Sequence, residues 1–235
     1  MSAASVPPQN RIEAVAFDVD GTLYSERMMQ FFALPFALKR VRFLSHFRAV
    51  RRELRAVRPI GDLRGLQAEL LGERLGVEPE EAERLVHDHI HSTWEGLLER
   101  LSLFPYVREF IEGLQEQGFK TAVMSDFPVE SKLEILGLDV TWDCAFSSEE
   151  VGYLKPNPEP FLHLAERLGV EPARILYVGN SYRYDIEGAH SVGMETAHRT
   201  RRPPADSVAS VSFRDFRELE GWLEKNPENR YTDSV

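Results

Sequence analysis

The chain has 235 residues, 43% apolar and 28% charged, enough for one large domain or a core carrying a smaller insert. A formal net charge of −10 argues against nucleic acid as a stable partner, and a single cysteine, Cys144, excludes an internal disulfide and suits a reducing compartment. No apolar run approaches membrane-spanning length and residues 1–10 lack the pattern of a signal peptide, so the expectation is a soluble cytoplasmic protein with loose tails at 1–10 and 226–235.

The first element is a short apolar run, Ala14-Val15-Ala16-Phe17, which reads as a buried strand. It stops at Asp18-Val19-Asp20-Gly21-Thr22. In extended backbone, positions i and i+2 point the same way, so Asp18 and Asp20 can face one ligand. Gly21 permits a sharp turn and Thr22 offers a hydroxyl beside them. Two acids at the end of a buried strand are costly to hold without a cation or a reaction to serve. An Asp-Gly turn that merely closes a strand is the plain alternative.

Residues 25–101 read as helices throughout. A helix is expected over 28–47, with Pro35 as its start or a kink, and with Phe36, Val41, Leu44 and Phe47 near helical spacing. From Leu38 to Arg58 stand eight basic residues and one acid, Glu53, with Arg48, Arg51, Arg52 and Arg55 gathered on one side of a helix. Three readings follow: a solvated face, arginines that reach a cleft and hold a second anionic group of a substrate, or a helix lying on an anionic membrane. Pro59-Ile60-Gly61-Asp62 breaks the run, 63–75 is the next helix, and Gly76 ends it. Over 80–101 the apolar stripe is Ala82, Val86, Ile90, Trp94, Leu97 and Leu101. His87 and His91, four apart, could share a zinc ion, but no third ligand stands at a recognisable spacing, and they read as the flank of that stripe. Several helices without a strand, inserted in an α/β chain, suggest an all-helical cap.

From Phe104 strand and helix alternate. Helices are expected over 106–117, 131–136, 159–168, 186–192 and 214–224, and strands over 119–124, 142–146, 174–178, 195–197 and 208–211. This order implies a doubly wound parallel α/β sheet with helices on both faces, whose ligands bind beyond the carboxyl ends of the strands. The Asp18/Asp20 pair, Ser125-Asp126 and the Asn180/Asp185 pair all fall at such ends, and Lys155 lies in a loop that can reach them.

Those residues form a phosphoryl-transfer set. Asp18 can attack phosphorus to give an aspartyl phosphate, and Asp20 can protonate the leaving oxygen and then take a proton from water. Ser125 and Lys155 can hold the phosphoryl oxygens, and a magnesium ion between Asp18 and the far acids would let anion approach anion. Taken singly, Ser125 could be a helix cap, Lys155 a solvated lysine and Asp185 an N-cap.

The chain resembles the haloacid dehalogenase superfamily of hydrolases, in its phosphatase-like branch. Asp18-Val19-Asp20-Gly21-Thr22-Leu23 is similar to the first motif, Val123-Met124-Ser125-Asp126 to the second, Leu154-Lys155-Pro156 to the third, and the run from Gly179 to Asp185 to the fourth. The resemblance covers residues 11–224. It implies a Rossmann-like core at 11–24 and 102–225 and a helical cap at 25–101 that closes over the site and selects substrate. It further implies Asp18 as nucleophile, Asp20 as acid/base, Ser125, Asp126 and Lys155 as phosphate-binding residues, and magnesium at Asp18, Asp20 (through its backbone carbonyl), Asn180 and Asp185. The fourth motif ordinarily has an acid where this chain has Asn180, and an amide oxygen brings no formal charge, so the expected metal site is softened. The expectation is magnesium-dependent hydrolysis of a small phosphorylated metabolite. The alternatives are a phosphomutase, a phosphonate hydrolase with Lys39 as the one lysine of the cap, or a binding protein whose weakened site no longer turns over.

Overall fold

All four residues of β1 (Ala14–Phe17) are apolar and buried, the signature of a strand covered on both faces. In the computed structural model, which describes residues 12–58 and 60–225, β1 lies within a six-stranded sheet of order β3-β2-β1-β4-β5-β6. The other strands are β2 (Lys120–Ser125), β3 (Cys144–Ser147), β4 (Ile175–Gly179), β5 (Glu195–Arg199) and β6 (Val211–Phe213). Every pairing is parallel. The direction of winding reverses between β1 and β4, which opens a crevice beyond their carboxyl ends. The tails expected at 1–10 and 226–235 lie outside the described residues.

The two faces of the sheet bury different side chains. Val15, Phe17 and Val123 pack with Phe110 and Leu114 of α6 (Val107–Glu116) and with Phe216 and Leu219 of α10 (Phe216–Lys225). On the other face stand Ala14, Ala16 and Ala122, small enough to admit Phe161 of α8 (Pro158–Leu168) edge-on to Tyr177 at 5.1 Å. Period-2 alternation along one strand thus supplies both layers.

Between β1 and β2 runs an all-helical insert: α1 (Glu26–Lys39), α2 (Val41–Leu54), α3 (Leu63–Leu75), α4 (Pro79–Val86) and α5 (Ser92–Leu98). Phe43, Phe47, Val50, Leu54, Leu71 and Val86 give it an apolar cluster of its own, joined by Leu154 from a loop of the core. The chain enters and leaves the insert side by side, where Tyr24 bridges Leu103 and the Phe104 N–H donates to the Leu23 carbonyl at 2.8 Å.

Three elements differ from the sequence expectation by more than two residues or by a break. The helix expected over 28–47 is two: α1 runs through Pro35, and the break falls at Arg40, whose φ of −129° leaves the helical region. Pro35 withholds a donor only from the Phe31 carbonyl, and both residues are exposed, so water can serve that carbonyl. The helix over 80–101 is interrupted by a π-turn at His87–His91 and ends at Leu98. The last strand is Val211–Phe213 rather than 208–211, because Phe213 is the residue that reaches the core while Val208 stays exposed. By contrast α3 has the expected bounds, with Asp62 capping the Gly65 N–H at 3.0 Å and Gly76 left-handed at φ +74°. No helix among the described residues is long and apolar enough to cross a membrane.

Candidate active site

Asp18 extends β1 by one residue, its N–H donating to the Val178 carbonyl of β4 at 2.9 Å. The backbone therefore fixes the carboxylate at the reversal point of the sheet. Its Oδ2 accepts from the Thr22 hydroxyl at 2.8 Å, and its Oδ1 accepts from Lys155 Nζ at 2.7 Å. The same ammonium donates to Asp185 Oδ1 at 2.6 Å and to the Tyr177 hydroxyl at 3.3 Å. Asp18, Lys155 and Asp185 are all buried, so one cation serves two carboxylates out of reach of bulk water.

Close approach of two loops makes this possible. A Cβ on Gly21, whose φ is +91°, would sit 2.2 Å from Asn180 Nδ2, and one on Gly179 would sit 2.3 Å from the Asp185 Cβ. Neither position tolerates a side chain. Asn180 Oδ1 accepts from the Thr22 hydroxyl at 3.3 Å, so Thr22 touches both Asn180 and Asp18. Asp185 Oδ2 accepts from the Ser181 N–H at 2.9 Å, and the Ser181 hydroxyl caps the π-turn Tyr182–Ile186 through the Tyr184 N–H.

Asp20 faces a second group. Ser125 Oγ donates to its Oδ2 at 2.9 Å, Lys132 Nζ donates to the same oxygen at 2.6 Å, and the Tyr24 hydroxyl donates to Oδ1. Lys132 is buried on α7 (Glu130–Ile135) and lies 3.4 Å from Ser125 Oγ. Asp126 turns elsewhere: its carboxylate accepts from Arg55 at 2.6 Å, Ser148 at 2.7 Å and the Lys155 N–H at 3.1 Å. It braces the loop that presents Lys155 and ties that loop to the insert.

The two acids of the first motif have opposite electrostatics. Burial pushes Asp18 up to about 7; Lys155 opposes this, while Asp185 and Asp20 add to it. Burial also works against charge on Asp20, but the Lys132 ammonium and the hydrogen bonds from Lys132, Tyr24 and Ser125 outweigh it and hold Asp20 below the ordinary carboxylate range. Lys155 is held well above its usual value, burial being overcome by Asp18 and Asp185.

Six of the seven residues singled out in the sequence meet around the crevice as two adjoining groups: Asp18, Lys155, Asp185 and Asn180 in one, Asp20 and Ser125 in the other. The seventh, Asp126, stands behind Lys155. The structure adds Lys132, Tyr24 and Tyr177, which sequence reading missed. Tyr24 is four residues beyond Asp20, a weak local signal; Lys132 and Tyr177 reach the site through space only.

Three arginines of the basic stripe take partners in the core, and the solvated-face reading holds for Arg48 and Arg52. Arg51 pairs with Glu149 in a buried ion pair and donates to the Asp126 carbonyl at 2.8 Å; Arg55 donates to the Lys155 carbonyl at 2.8 Å; Arg58 pairs with Glu159. These arginines fasten the insert to the loops of the core, while Arg48 and Arg52 stay exposed.

Among the described residues no three His, Cys, Asp or Glu side chains converge as a metal cage. At Asp18 stand instead two carboxylates, its own and that of Asp185, with the Asn180 amide oxygen beside them on Thr22. Burial and the neighbouring acids disfavour charge on Asp18 while Lys155 is its one cation, and an oxygen set of this kind fits a hard divalent cation that would favour the ionised form.

The family model for haloacid dehalogenase-like hydrolases matches residues 12–193. A glyceraldehyde 3-phosphate phosphatase of Methanopyrus kandleri is 34% identical over 200 residues, which cover 81% of this chain and 84% of that protein. A ribulose-1,5-bisphosphate 5-phosphatase of Halopiger xanaduensis is 31% identical over 216 residues, 84% of this chain and 89% of that protein. The structure of the hydrolase YfnB from Bacillus subtilis, bound to magnesium, is similar in fold, with a TM-score of 0.63 at 21% identity over 91% of this chain and 99% of that one. With the family model spanning most of the chain and the four motif segments brought to one crevice, the chain belongs to the haloacid dehalogenase-like hydrolases.

Proposed function

We propose that the protein hydrolyses a small phosphorylated metabolite through an aspartyl phosphate on Asp18. The observation that carries this reading is the buried Asp18 carboxylate, with Lys155 on one oxygen and Thr22 on the other, beside the Ser125–Asp20 pair. An Asp18 oxygen attacks phosphorus, the ester P–O bond breaks, and the leaving oxygen takes a proton from Asp20. Water then attacks phosphorus and gives its proton to Asp20. The P–O bond to Asp18 breaks, which releases phosphate and restores the carboxylate. Ser125 and Lys155 hold the phosphoryl oxygens as charge develops on them.

Asp20 needs a proton for the first step, and Lys132, Tyr24 and Ser125 hold it ionised in the absence of substrate. Phosphoryl oxygens compete for the Ser125 hydroxyl and the Lys132 ammonium, the groups that keep its pKa down. Their transfer to the phosphate favours the protonated acid when a substrate is present. Asp18, Asp185, the Asn180 amide oxygen and the Asp20 carbonyl would hold a magnesium ion, which when bound supplies charge neutralisation between nucleophile and phosphate.

The names of the two relatives support a small phosphorylated metabolite as substrate class. Purified protein is tested with magnesium against short-chain sugar phosphates, phosphorylated acids and an aryl phosphate. Magnesium-dependent phosphate release from at least one supports the reading; release from none, with or without magnesium, contradicts it and leaves a binding protein.

A further inference from the structure

Gly21 and Asn180, on the edge of the catalytic group, also line a crevice of about 540 Å³ that none of the catalytic steps uses. Its other walls are Phe104 and two segments. One is the start of α1, Ser25 to Arg27; the other is the segment that leaves β5, Arg199 to Arg202. A second hollow shares that segment and adds Arg214. Four arginines, at 27, 199, 201 and 202, thus line the crevice beside the site, with Arg214 in the adjoining hollow, in a chain whose net charge is −10. Among the described residues none of the five makes an ion pair. The one carboxylate in the lining, Glu26, accepts from the Gln30 amide at 3.0 Å.

Holding like charges together is unfavourable, and Asp215, the acid whose charge reaches Arg199, is itself paired with Arg217. Arg199 lies flat on Phe104, its guanidinium carbon 3.4 Å from the ring centre, and donates to the Gly21 carbonyl at 3.4 Å. Its Nε is buried without a hydrogen-bond partner. Arg214 donates to the Arg201 carbonyl at 3.4 Å, and the Arg202 N–H donates to the Thr200 hydroxyl at 3.2 Å. The heads of Arg199 and Arg214 thus brace the segment, while the exposed heads of Arg201 and Arg202 face the crevice without an ion-pair partner among the described residues. Guanidinium forks match oxyanions, phosphate and carboxylate alike, better than they match any other small ligand.

We propose that this crevice binds an oxyanion distinct from the phosphoryl group that is transferred. The anion is either a second charged group of the substrate or a free phosphate-like ion. It lies between Arg27 of the helical insert and Arg199–Arg202 of the sheet, beside the Tyr24–Leu103 bridge where the insert joins the core. Its occupation therefore ties the two parts together next to Asn180.

The test uses the full chain and Arg201→Ala/Arg202→Ala, two exposed residues outside the catalytic group. Inorganic pyrophosphate is titrated into both proteins by calorimetry. The catalytic group contributes equally to each, so the crevice is read as the difference, a loss of one equivalent or a weakening of about tenfold or more in the variant. In parallel, KM is measured for an aryl phosphate and for a phosphomonoester that also carries a carboxylate. A rise of about tenfold for the second alone assigns the crevice to the substrate's own distal group. Lost pyrophosphate binding with both KM values unchanged assigns it to a free anion. Unchanged binding together with unchanged KM values overturns the proposal. The calorimetric arm needs no turnover, so it stands even if the phosphatase reading fails.

Discussion

Asp18 and Asp20 are two residues apart in sequence, yet one is pushed up to about 7 and the other is held below the carboxylate range. The difference lies in their partners. Asp18 shares one ammonium with Asp185, whereas Asp20 has the Lys132 ammonium to itself, with two hydroxyls in support. Asp18→Asn keeps the shape and removes the nucleophilic oxygen, so phosphate release should vanish while the circular dichroism spectrum and unfolding midpoint hold. Asp20→Asn should slow turnover by ~10²–10⁴-fold, the range attributed to general acid–base catalysis. Because Asp20 is depressed in the folded protein, its contribution to stability is complete above its unfolded value of 3.8 and is lost as pH falls through the folded value. Lys132→Gln removes the main cause of that depression. Unfolding midpoints measured from pH 5 down to pH 2 should therefore fall less steeply in the variant than in the parent; parallel curves would mean Lys132 does not set the Asp20 pKa. Asp18, Asp20, Ser125 and Lys155 were legible because each stands at a strand end or in a loop with few other reasons for its chemistry. Lys132 was not, since one lysine in a short helix carries no mark of where it reaches.

At the scale of elements, α2 and the residues just after it decide how the insert sits. Arg51, Arg55 and Arg58 follow one another at about one helical turn, and each meets an acid of the core: Glu149, Asp126 and Glu159. The Arg51–Glu149 pair is almost wholly buried, with side chains 5% and 4% exposed. Arg51→Ala leaves the buried Glu149 with the exposed Arg64, at 3.8 Å, as its remaining cation, and should cost about 3 kcal/mol in urea unfolding. Exposed Arg52→Ala should stay within about 0.5 kcal/mol of the parent. Equal effects of the two changes would remove the ion pair from the account. Charge density along 38–58 was plain in the sequence, but its purpose was not, because the acids it meets lie about 70 to 100 residues further on. The helices were read well where a cap marks the end, as at Asp62 and Gly76. They were read poorly at Arg40 and at the π-turn His87–His91, where no glycine or proline announces the change.

In the whole molecule, the order of strands and the tight contact of two loops do what no single motif does. The reversal between β1 and β4 sets Asp18 against Val178, and Gly21 lets Asn180 approach within a distance that excludes any Cβ. Gly21→Ala should therefore lower activity and stability together, whereas Asn180→Asp, which restores a carboxylate to an oxygen set suited to a divalent cation, should lower the magnesium concentration needed for half-maximal activity. An unchanged magnesium requirement would place Asn180 outside the coordination sphere. The parallel sheet and the helical insert were legible from the alternation after Phe104 and its absence before it. The crevice of arginines was not, because Arg27 and Arg199 to Arg202 meet only once the sheet is wound.

The measurement that bears most directly on the account is the fate of Asp18 during turnover. Protein mixed with a phosphomonoester it hydrolyses is quenched in acid within the first turnover, digested, and the peptides are weighed. The account predicts a phosphoryl group on the peptide that contains Asp18, absent in Asp18→Asn. Phosphate released at the full rate with that peptide never modified, and with Asp18→Asn still active, would contradict it.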